Sequence, residues 1–174
     1  MTKIAIVTGA SRGFGRGTAR ILASEAGYKV YATARTQSAL QSLQKEVAES
    51  NGAGEVIPVV LDQSDDEAVA AFVRRVSASE KQIDLLVNSA YAGLIAMTPH
   101  FGKPFWERPI SVFDGSMDIG VRGAYVMSAL VAPAMVKAKN GLIVQISSYG
   151  GFAYVFDVGY GVAHAAMDRL SFDM

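Results

Sequence analysis

The chain has 174 residues, enough for one domain with a substantial hydrophobic core, and 51% of them are hydrophobic. Its 16 basic and 16 acidic residues give a net charge of zero, which excludes the basic surface that nucleic-acid binding requires. There are no cysteines, so disulfides and thiolate metal sites are excluded and a reducing compartment fits.

The first fifteen residues carry the strongest local signal in the chain. An apolar run over residues 3–8 predicts a buried strand, and Gly9, Gly13 and Gly15 follow it directly. Because glycine has no Cβ, such a turn can approach a pyrophosphate closely while the next helix presents free N–H groups. The spacing GxxxGxG differs from the GxGxxG fingerprint, and no Lys-Ser/Thr pair follows to make a P-loop. A plain glycine turn is the alternative, but the position between strand and helix favours phosphate binding.

Apolar runs continue along the chain and alternate with helical periods. Strands are predicted over residues 28–34, 56–61, 83–87 and 141–146. Near-continuous aliphatic strands of this kind are typical of a parallel sheet that is covered on both faces. We therefore predict an α/β fold, a doubly wound Rossmann-type parallel sheet, as a single domain over residues 1–174.

Three helices are predicted between the first four strands. Their apolar faces are expected to contain Phe14, Thr18, Ile21 and Leu22 in the first, Leu40, Leu43 and Val47 in the second, and Ala68, Phe72 and Val76 in the third. Ser64, with Glu67 three residues later, predicts a capping box at the start of the third helix. Prolines and a glycine break any regular element over residues 91–110, the segment after the fourth strand, where such folds bind ligands.

Two features of the sequence argue against a membrane span and a targeting peptide. The longest apolar stretch, residues 124–138, is interrupted by Ser128, Pro133 and Lys137, so no span is predicted. The first predicted strand begins at Lys3, which leaves no room for a signal or transit peptide. We therefore expect a cytoplasmic protein.

A set of short motifs extends over nearly the whole chain. It consists of TGASRGFG at residues 8–15, Asp62 after the third strand, Asn88-Ser89-Ala90 after the fourth, Ile146-Ser147-Ser148 after the fifth, and Tyr160. In this order and spacing the motifs resemble the short-chain dehydrogenase/reductase family, and residues 88–93, 103–107 and 149–160 resemble one branch of it most. The resemblance implies hydride transfer between a nicotinamide and a small-molecule carbonyl or alcohol substrate, and association into a dimer or tetramer.

The predicted cofactor, NADP(H), follows from charge. Dinucleotide folds that bind NAD usually place an acidic residue after the second strand, whereas this chain has Ala34-Arg35-Thr36. Arg12 lies inside the glycine loop, and two guanidinium groups suit the 2′-phosphate of NADP(H). A solvated Arg35 at a helix start is the alternative. The resemblance implies that the cofactor contacts Gly9, Ser11, Arg12, Gly13, Phe14, Gly15, Arg35, Asp62, Asn88, Ala90, Tyr160 and His164.

Two of these cofactor positions have an ordinary structural alternative. By resemblance, Asp62 bonds the adenine amino group, and Asn88 and Ala90 line the adenosine ribose. An aspartate just before Ser64 is also typical of a turn, and Asn88 alternatively fixes the end of its strand.

The catalytic residues are also implied by the resemblance. Tyr160 is expected to be the acid/base and Ser148 to hydrogen-bond the substrate oxygen. Ser147 is the alternative, because Ser148 precedes Tyr160 by twelve residues where thirteen is the commoner spacing. A tyrosine phenol has an ordinary pKa of about 10 and needs nearby positive charge to act near neutral pH. No metal site is predicted.

Three departures from the family pattern bear on activity. His164 stands where the family has a lysine on the same helix face as Tyr160, and Gly120 where it has an asparagine. Histidine is largely neutral at pH 7, so we expect slow turnover that rises as the pH falls; a packing role for His164 is the alternative. The chain also stops at Met174, where family members continue, so a truncated sheet edge is expected. An enzyme, a nucleotide-binding protein with impaired catalysis and a fragment all stay open.

Overall fold

The computed structural model describes residues 2–174 and contains all five predicted strands, with ends that differ by one or two residues. They are β1 (Ile4–Thr8), β2 (Lys29–Ala34), β3 (Glu55–Val60), β4 (Leu85–Asn88) and β5 (Leu142–Gln145). The strands form one parallel sheet in the order β3-β2-β1-β4-β5. After β3 the chain crosses to the other side of β1, which makes the sheet doubly wound. The predicted Rossmann-type fold is confirmed, and β5 is the edge strand at which the sheet stops.

Seven α-helices connect and follow the strands in the described chain. They are α1 (Gly13–Ser24), α2 (Gln37–Glu49), α3 (Asp66–Ser79), α4 (Gly93–Met97), α5 (Ile110–Ser116), α6 (Gly123–Ala138) and α7 (Val158–Asp173). A π-helical stretch, Met117–Arg122, joins α5 to α6. Three short 3₁₀ turns lie at Thr98–His100, Phe105–Glu107 and Tyr149–Gly151.

The contacts divide the chain into two compact units. The first, called the sheet unit below, comprises residues up to 90 together with 126–144. The second, called the helical unit, comprises residues 91–125 and 145–174. The prediction of one NADP-binding domain over residues 1–174 stays a prediction.

The core of the sheet unit lies between the sheet and helices α3 and α6. Ile6 of β1 and Leu86 of β4 are fully buried, as are Val76 of α3 and Met127 of α6. Burying each such side chain contributes about 1.5–3 kcal/mol relative to leaving it exposed. On α2, the predicted face of Leu40, Leu43 and Val47 is confirmed as buried. The predicted face of α3 is buried at Phe72 and Val76.

The predicted apolar face of α1 is wrong at Phe14 and Ile21, while Thr18 and Leu22 are half-buried. Phe14 is 80% exposed and Ile21 is 45% exposed, whereas the buried residues are Gly15, Ala19 and Ala23. The helix follows β1 through a tight turn and therefore lies close to the backbone of the sheet unit. Only residues with little or no side chain fit at that distance, so the larger apolar residues point away from the core.

The predicted capping box of α3 is also wrong. The N-cap is Asp65, whose carboxylate accepts a hydrogen bond from the N–H of Ala68 at 3.0 Å. Ser64 lies one residue too early for that role, and its backbone and hydroxyl both donate to Asp62 instead. An aspartate cap suits this helix because its charge also interacts favourably with the helix dipole.

The segment over residues 91–110 is more regular than predicted. It contains α4 and two 3₁₀ turns, and the prolines stand at the beginnings of elements. Pro99 lies in the first turn of one 3₁₀ helix, and Pro104 and Pro109 are the N-cap residues of the next two helices. Proline is tolerated there because those positions need no N–H donor within the helix.

Among the described residues one helix is long and apolar enough to cross a membrane, the continuous helix Ile110–Ala138. One such helix is weak evidence for a membrane span, since a helix packed in a protein core has the same length and composition. Met127 and Val131 are fully buried in the core of the sheet unit, as is most of Met135.

We predict that α1 tolerates change at Phe14 but not at Ala19. Ala19→Leu adds volume where no side chain surface is exposed, so the free energy of unfolding should fall by about 1–3 kcal/mol. Phe14→Ala removes a ring that is 80% exposed and should change it by less than about 0.5 kcal/mol. Urea denaturation measures both. Equal losses in the two variants would contradict the packing described for α1.

Candidate active site

The candidate residues fall into two groups, one in each unit. The first group is the glycine loop between β1 and α1 in the sheet unit. Gly9 and Gly13 have φ values of +68° and +57°, a region that favours glycine. A Cβ on Gly9 would lie 2.7 Å from the Cα of Ala90, and a Cβ on Gly15 would lie 2.5 Å from the carbonyl oxygen of Gly9. The loop is therefore closed against backbone on both sides.

Thr8 connects the glycine loop to the end of β4. Its side chain is 1% exposed, and Oγ1 accepts hydrogen bonds from the N–H groups of Ser89 (3.0 Å) and Ala90 (3.1 Å). The carboxyl ends of β1 and β4 are thereby fixed together, and in doubly wound sheets ligands bind outside such ends. Thr8 was predicted only as the first residue of the motif at residues 8–15, because its contacts with Ser89 and Ala90 form only in the folded chain.

The N-terminus of α1 suits an anion. Arg12 is the N-cap residue, no side chain in the described structure caps the helix, and the first turn contains no acidic residue. The first N–H groups of a helix carry partial positive charge and lack partners within the helix. Ser11 is half-buried beside this turn, while Gly13 and Phe14 are exposed.

Arg12, Arg16 and Arg35 have different environments. Arg16 donates to the carbonyl of Ala39 and pairs with Glu46 at 2.7 Å, so it joins α1 to α2. Arg12 and Arg35 are exposed. Arg35 contributes to lowering the pKa of the Asp62 carboxyl, although hydrogen bonds from Ser64 are the larger cause.

Asp62 and Asn88 both make the structural contacts named as alternatives. Asp62 accepts from the backbone N–H of Ser64 at 2.9 Å and from its hydroxyl at 2.7 Å, which forms a turn after β3. The amide of Asn88 donates to the hydroxyl of Ser128 at 3.0 Å, and Asn88 is 4% exposed. Both side chains have a structural role, and a role at the cofactor stays a prediction for each.

The second group of candidate residues lies in the helical unit. The Tyr160 hydroxyl donates to Ser148 Oγ at 2.8 Å, and the N–H of Gly150 donates to the same oxygen at 2.9 Å. Ser148 therefore keeps its own hydroxyl hydrogen to donate to another group. Ser147 does not contact Tyr160, and its hydroxyl instead donates to the carbonyl of His164 at 3.4 Å. The geometry thus brings Ser148, and not Ser147, to the proposed acid/base.

Gly150 provides the space in which the Tyr160 ring packs. A Cβ at Gly150 would lie 2.4 Å from Cε1 of Tyr160, a distance that no side chain tolerates. The Tyr160 side chain is 9% exposed. Its position is therefore fixed by a ring contact and by the hydrogen bond to Ser148.

His164 is buried beside Tyr160. The two rings lie 4.2 Å apart between centroids, and His164 is 5% exposed. Neither Nδ1 nor Nε2 has a hydrogen-bond partner within residues 2–174. Burial lowers the pKa of His164, and the carboxylate of Asp168 offsets part of that shift. The imidazole is therefore neutral at pH 7, with two ring nitrogens available to a ligand.

A buried ion pair fixes the start of α7. Asp157 is the N-cap residue and accepts from the N–H of Gly159 at 2.7 Å, while its other oxygen pairs with Arg108. The two charged side chains are 5% and 6% exposed. This pair was not predicted from the sequence, although an aspartate directly before a helix is a recognisable cap signal.

The position of Gly120 is filled from another part of the helical unit. Gly120 is buried in the π-helical stretch, and a Cβ there would lie 2.8 Å from Cδ2 of Tyr91. The Tyr91 ring lies 5.2 Å from the ring of His164 and 5.8 Å from that of Tyr160. No role for Tyr91 was predicted, since nothing in its local spacing relates it to residues 120, 160 and 164.

The family model for short chain dehydrogenases matches residues 3–174. Dehydrogenase/reductase SDR family member 1 from Mus musculus is 44% identical over 98% of this chain and 54% of its own length. The chain therefore spans about half the length of that relative. The predicted resemblance to this branch of the family is confirmed.

Solved structures agree with the comparison of sequences. A metagenomic short-chain oxidoreductase in complex with NADP has a TM-score of 0.86 and 32% identity, covering 98% of this chain and 74% of its own. A 7α-hydroxysteroid dehydrogenase complexed with NADH and 7-oxo glycochenodeoxycholic acid has a TM-score of 0.83 and 26% identity, covering 98% and 65%.

We predict that Gly15→Ala disrupts the glycine loop. The added Cβ would lie 2.5 Å from the Gly9 carbonyl, so the loop must shift and stability should fall by about 1–3 kcal/mol. Gly17→Ala is the matched control, because a Cβ there meets nothing within 4 Å and should stabilise α1 by about 0.5–1 kcal/mol. Isothermal titration calorimetry measures the binding of NADPH and NADH by the two variants, and thermal unfolding measures their stability. Normal nucleotide binding by Gly15→Ala would contradict the described closure.

We predict that His164 makes the protein less stable in mild acid. Its folded pKa lies below the ordinary 6.5, so the unfolded chain takes up the proton first as the pH falls. The free energy of unfolding should therefore decrease from pH 6.5 downwards, by at most about 1.4 kcal/mol per pH unit from this group. Carboxylates with lowered pKa values, such as Glu80, act below about pH 4.5.

Urea denaturation between pH 7 and pH 5 measures the slope of the free energy of unfolding against pH. His164→Asn should remove it, whereas His100→Asn, which removes the other histidine of the chain, should retain it. An unchanged slope in His164→Asn would show that another group is responsible.

Proposed function

The chain belongs to the short-chain dehydrogenase/reductase family, and on that basis we propose that it is an NADP(H)-dependent oxidoreductase acting on a carbonyl or alcohol substrate. The observation that carries the proposal is the 2.8 Å hydrogen bond from the Tyr160 hydroxyl to Ser148 Oγ. It joins a proton donor to a hydrogen-bonding group in a buried environment, which is the arrangement that general acid catalysis needs.

The residues of the sheet unit fit a dinucleotide. Gly9 and Gly13 have the positive φ values of a phosphate-binding turn, and the uncapped start of α1 offers N–H groups to an anion. Gly9, Ser11, Gly13, Phe14 and Gly15 would hold the pyrophosphate side. Asp62, Asn88 and Ala90 would hold the adenosine side. When bound, the cofactor supplies or accepts the hydride at C4 of its nicotinamide.

The proton chemistry is proposed for the helical unit. In the reducing direction, Tyr160 transfers its hydroxyl proton to the carbonyl oxygen as the carbon gains a hydride, and the product is an alcohol. Ser148 donates a hydrogen bond to the same oxygen and stabilises the charge that develops on it. The oxidising direction reverses both transfers, so Tyr160 then accepts the proton.

The choice of NADP(H) over NAD(H) depends on the two exposed arginines. Arg12 occupies the N-cap position of α1 and Arg35 follows β2, and no acidic residue stands at the end of β2. A guanidinium binds a phosphate with paired hydrogen bonds, which an adenosine 2′-hydroxyl cannot match. The metagenomic relative with NADP supports this choice, while the hydroxysteroid dehydrogenase is complexed with NADH.

His164 is proposed to bind the nicotinamide ribose through a ring nitrogen. Both nitrogens are buried without partners in the described chain, and a ribose hydroxyl would satisfy one of them. A neutral imidazole adds no fixed charge beside Tyr160, so turnover should be slow at pH 7. Because burial lowers the pKa of His164, the rise in activity should require a pH below 6.5.

Association and location complete the proposal. Ile110 and Phe113 of α5 and Val158 and Val162 of α7 expose 40–76% of their surface, which supports a homodimer or tetramer through these helices. The lack of cysteine fits a reducing compartment, and a cytoplasmic location is proposed on that ground.

A second candidate is a nucleotide-binding protein with impaired catalysis. The neutral, unpartnered His164 favours it, because the acid/base then lacks a permanent positive neighbour. In that case the chain binds the nucleotide and acts by interaction or sensing. The two candidates differ in turnover and not in binding.

The test combines thermal shift with turnover. NADPH should raise the melting temperature more than NADH does. With 4-nitrobenzaldehyde as a probe carbonyl, NADPH should also be oxidised, which is measured as a loss of its absorbance. Arg35→Ser should weaken NADPH binding roughly 10–100-fold, as expected for a lost charged hydrogen bond. Arg74→Ser, an exposed position on α3, is the matched control.

Each outcome distinguishes one hypothesis. Binding of NADPH with turnover that Tyr160→Phe abolishes supports the oxidoreductase. Binding without turnover of a panel of carbonyls and alcohols supports the second candidate. No thermal shift with either nucleotide contradicts both, and equal shifts with NADPH and NADH contradict the roles of Arg12 and Arg35.

A further inference from the structure

Tyr91 is anchored at its hydroxyl. It lies shortly after β4, which ends at Asn88, and its Oη donates to the hydroxyl of Ser116 at 3.0 Å. Ser116 is fully buried and donates in turn to the carbonyl of Val112 at 3.3 Å. Burial raises the pKa of Tyr91 to about 12, so its phenol stays protonated through the physiological range. Tyr91 is therefore not itself an acid or base near neutral pH.

Two glycines of the helical unit make room for this side chain. A Cβ on Gly93 would lie 2.4 Å from Tyr91 Oη, and a Cβ on Gly120 would lie 2.8 Å from Cδ2 of the same ring. Neither glycine has a positive φ, so the backbone conformation does not require glycine at these positions. At Gly120 the Tyr91 ring requires it, and at Gly93 the Tyr91 hydroxyl and Ser116 Oγ require it together.

The Tyr91 ring contacts the rings of both Tyr160 and His164. It meets Tyr160 edge to face, with centroids 5.8 Å apart and planes at 88°. It meets His164 at 5.2 Å with planes at 40°, and the His164 and Tyr160 rings are 4.2 Å apart. The three rings therefore form one mutually contacting cluster, and Tyr91 is the member that a hydrogen bond ties to α5.

We propose that Tyr91 is a positioning residue for the reaction, held by Ser116 in a space made by Gly93 and Gly120, and that it fixes the rings of Tyr160 and His164. The inference rests on the proposed function, because it assigns Tyr91 a purpose only through those two residues. An aromatic ring suits this purpose because it restricts two neighbours at once and loses little conformational freedom itself. It also keeps water from the imidazole of His164.

The first test needs no turnover. The protein has two histidines, so their imidazole Cε1–H signals can be followed by NMR against pH and assigned with His164→Asn. Tyr91→Leu, which removes the ring, should admit water and move the His164 titration toward pH 6.5. Tyr91→Phe keeps the ring and should stay near the wild-type titration. Tyr125→Leu, at a tyrosine that is 55% exposed, is the matched control.

The second test measures catalysis by the same variants with NADPH and 4-nitrobenzaldehyde. Tyr91→Leu should lower kcat roughly 100-fold, as expected when a reacting group is displaced by about 1 Å, with a much smaller change in KM. Its pH profile should shift together with the NMR titration. Tyr91→Phe should recover all but about threefold of the loss, since the ring contacts remain.

A further variant covers the case in which Tyr91→Leu does not fold. Gly120→Ala leaves Tyr91 in place but adds a methyl group 2.8 Å from its ring, which should push the ring against His164 and Tyr160. The His164 titration and kcat should then both change while the thermal unfolding stays cooperative.

The outcomes separate this inference from the proposed function. Unchanged His164 titration and unchanged kcat in Tyr91→Leu and Gly120→Ala overturn the inference. If the wild-type protein shows no turnover, the oxidoreductase proposal fails. The NMR comparison then still shows whether Tyr91 holds the His164 ring, and a titration that is the same in Tyr91→Leu as in the wild type overturns that contact role as well.

Discussion

The local structure of the sheet unit depends on two places where backbone segments approach so closely that no side chain fits between them. At Gly9 the turn after β1 comes within contact of the Ala90 backbone, and at Gly15 the first turn of α1 comes within contact of the Gly9 carbonyl. Thr8 then fixes the ends of β1 and β4 through two N–H groups. Because α1 enters so close to the strand, its buried face must consist of Gly15, Ala19 and Ala23. The proposed nucleotide binding uses N–H groups that this arrangement leaves available.

The helical unit depends on a different kind of constraint, the fixing of one helix start. Asp157 caps α7 and pairs with Arg108, and both side chains are almost completely buried. Removing one partner of such a pair leaves a buried charge, which typically costs about 3–5 kcal/mol. That is close to the whole stability of a marginally stable small domain. Tyr160 lies within the first turn of α7, so the position of its hydroxyl depends on this cap.

The fold was predictable because its signals are local. Each strand is a short aliphatic run, and the glycine loop follows the first strand without a spacer, so periodicity and turn chemistry identified both. The face of α1 was not predictable in this way, since hydrophobicity ranks Phe14 above Ala19, whereas the distance between helix and strand favours the smaller residue. The predicted N-cap of α3 was wrong by one residue, because Ser64 has a nearer partner in Asp62.

The residues of the candidate site likewise differ in whether they could be predicted from the sequence. Ser148 and Tyr160 were predicted from the family resemblance, and the structure brings their hydroxyls together. Tyr91 was not identified, because its partners are separated from it along the chain and meet only in the folded unit. His164 was recognised as unusual, but its burial and its lack of a partner are properties of packing that no sequence pattern reports.

The fit between Tyr91 and its two glycines also constrains how this sequence can change over generations. A larger residue at position 93 or 120 displaces the Tyr91 side chain, and loss of the tyrosine leaves a hole lined by glycine and by the rings of Tyr160 and His164. The three positions are therefore expected to be inherited as a set, and a substitution harmful in this background would be harmless in one where position 91 is small. Comparison of relatives one column at a time would misjudge all three positions.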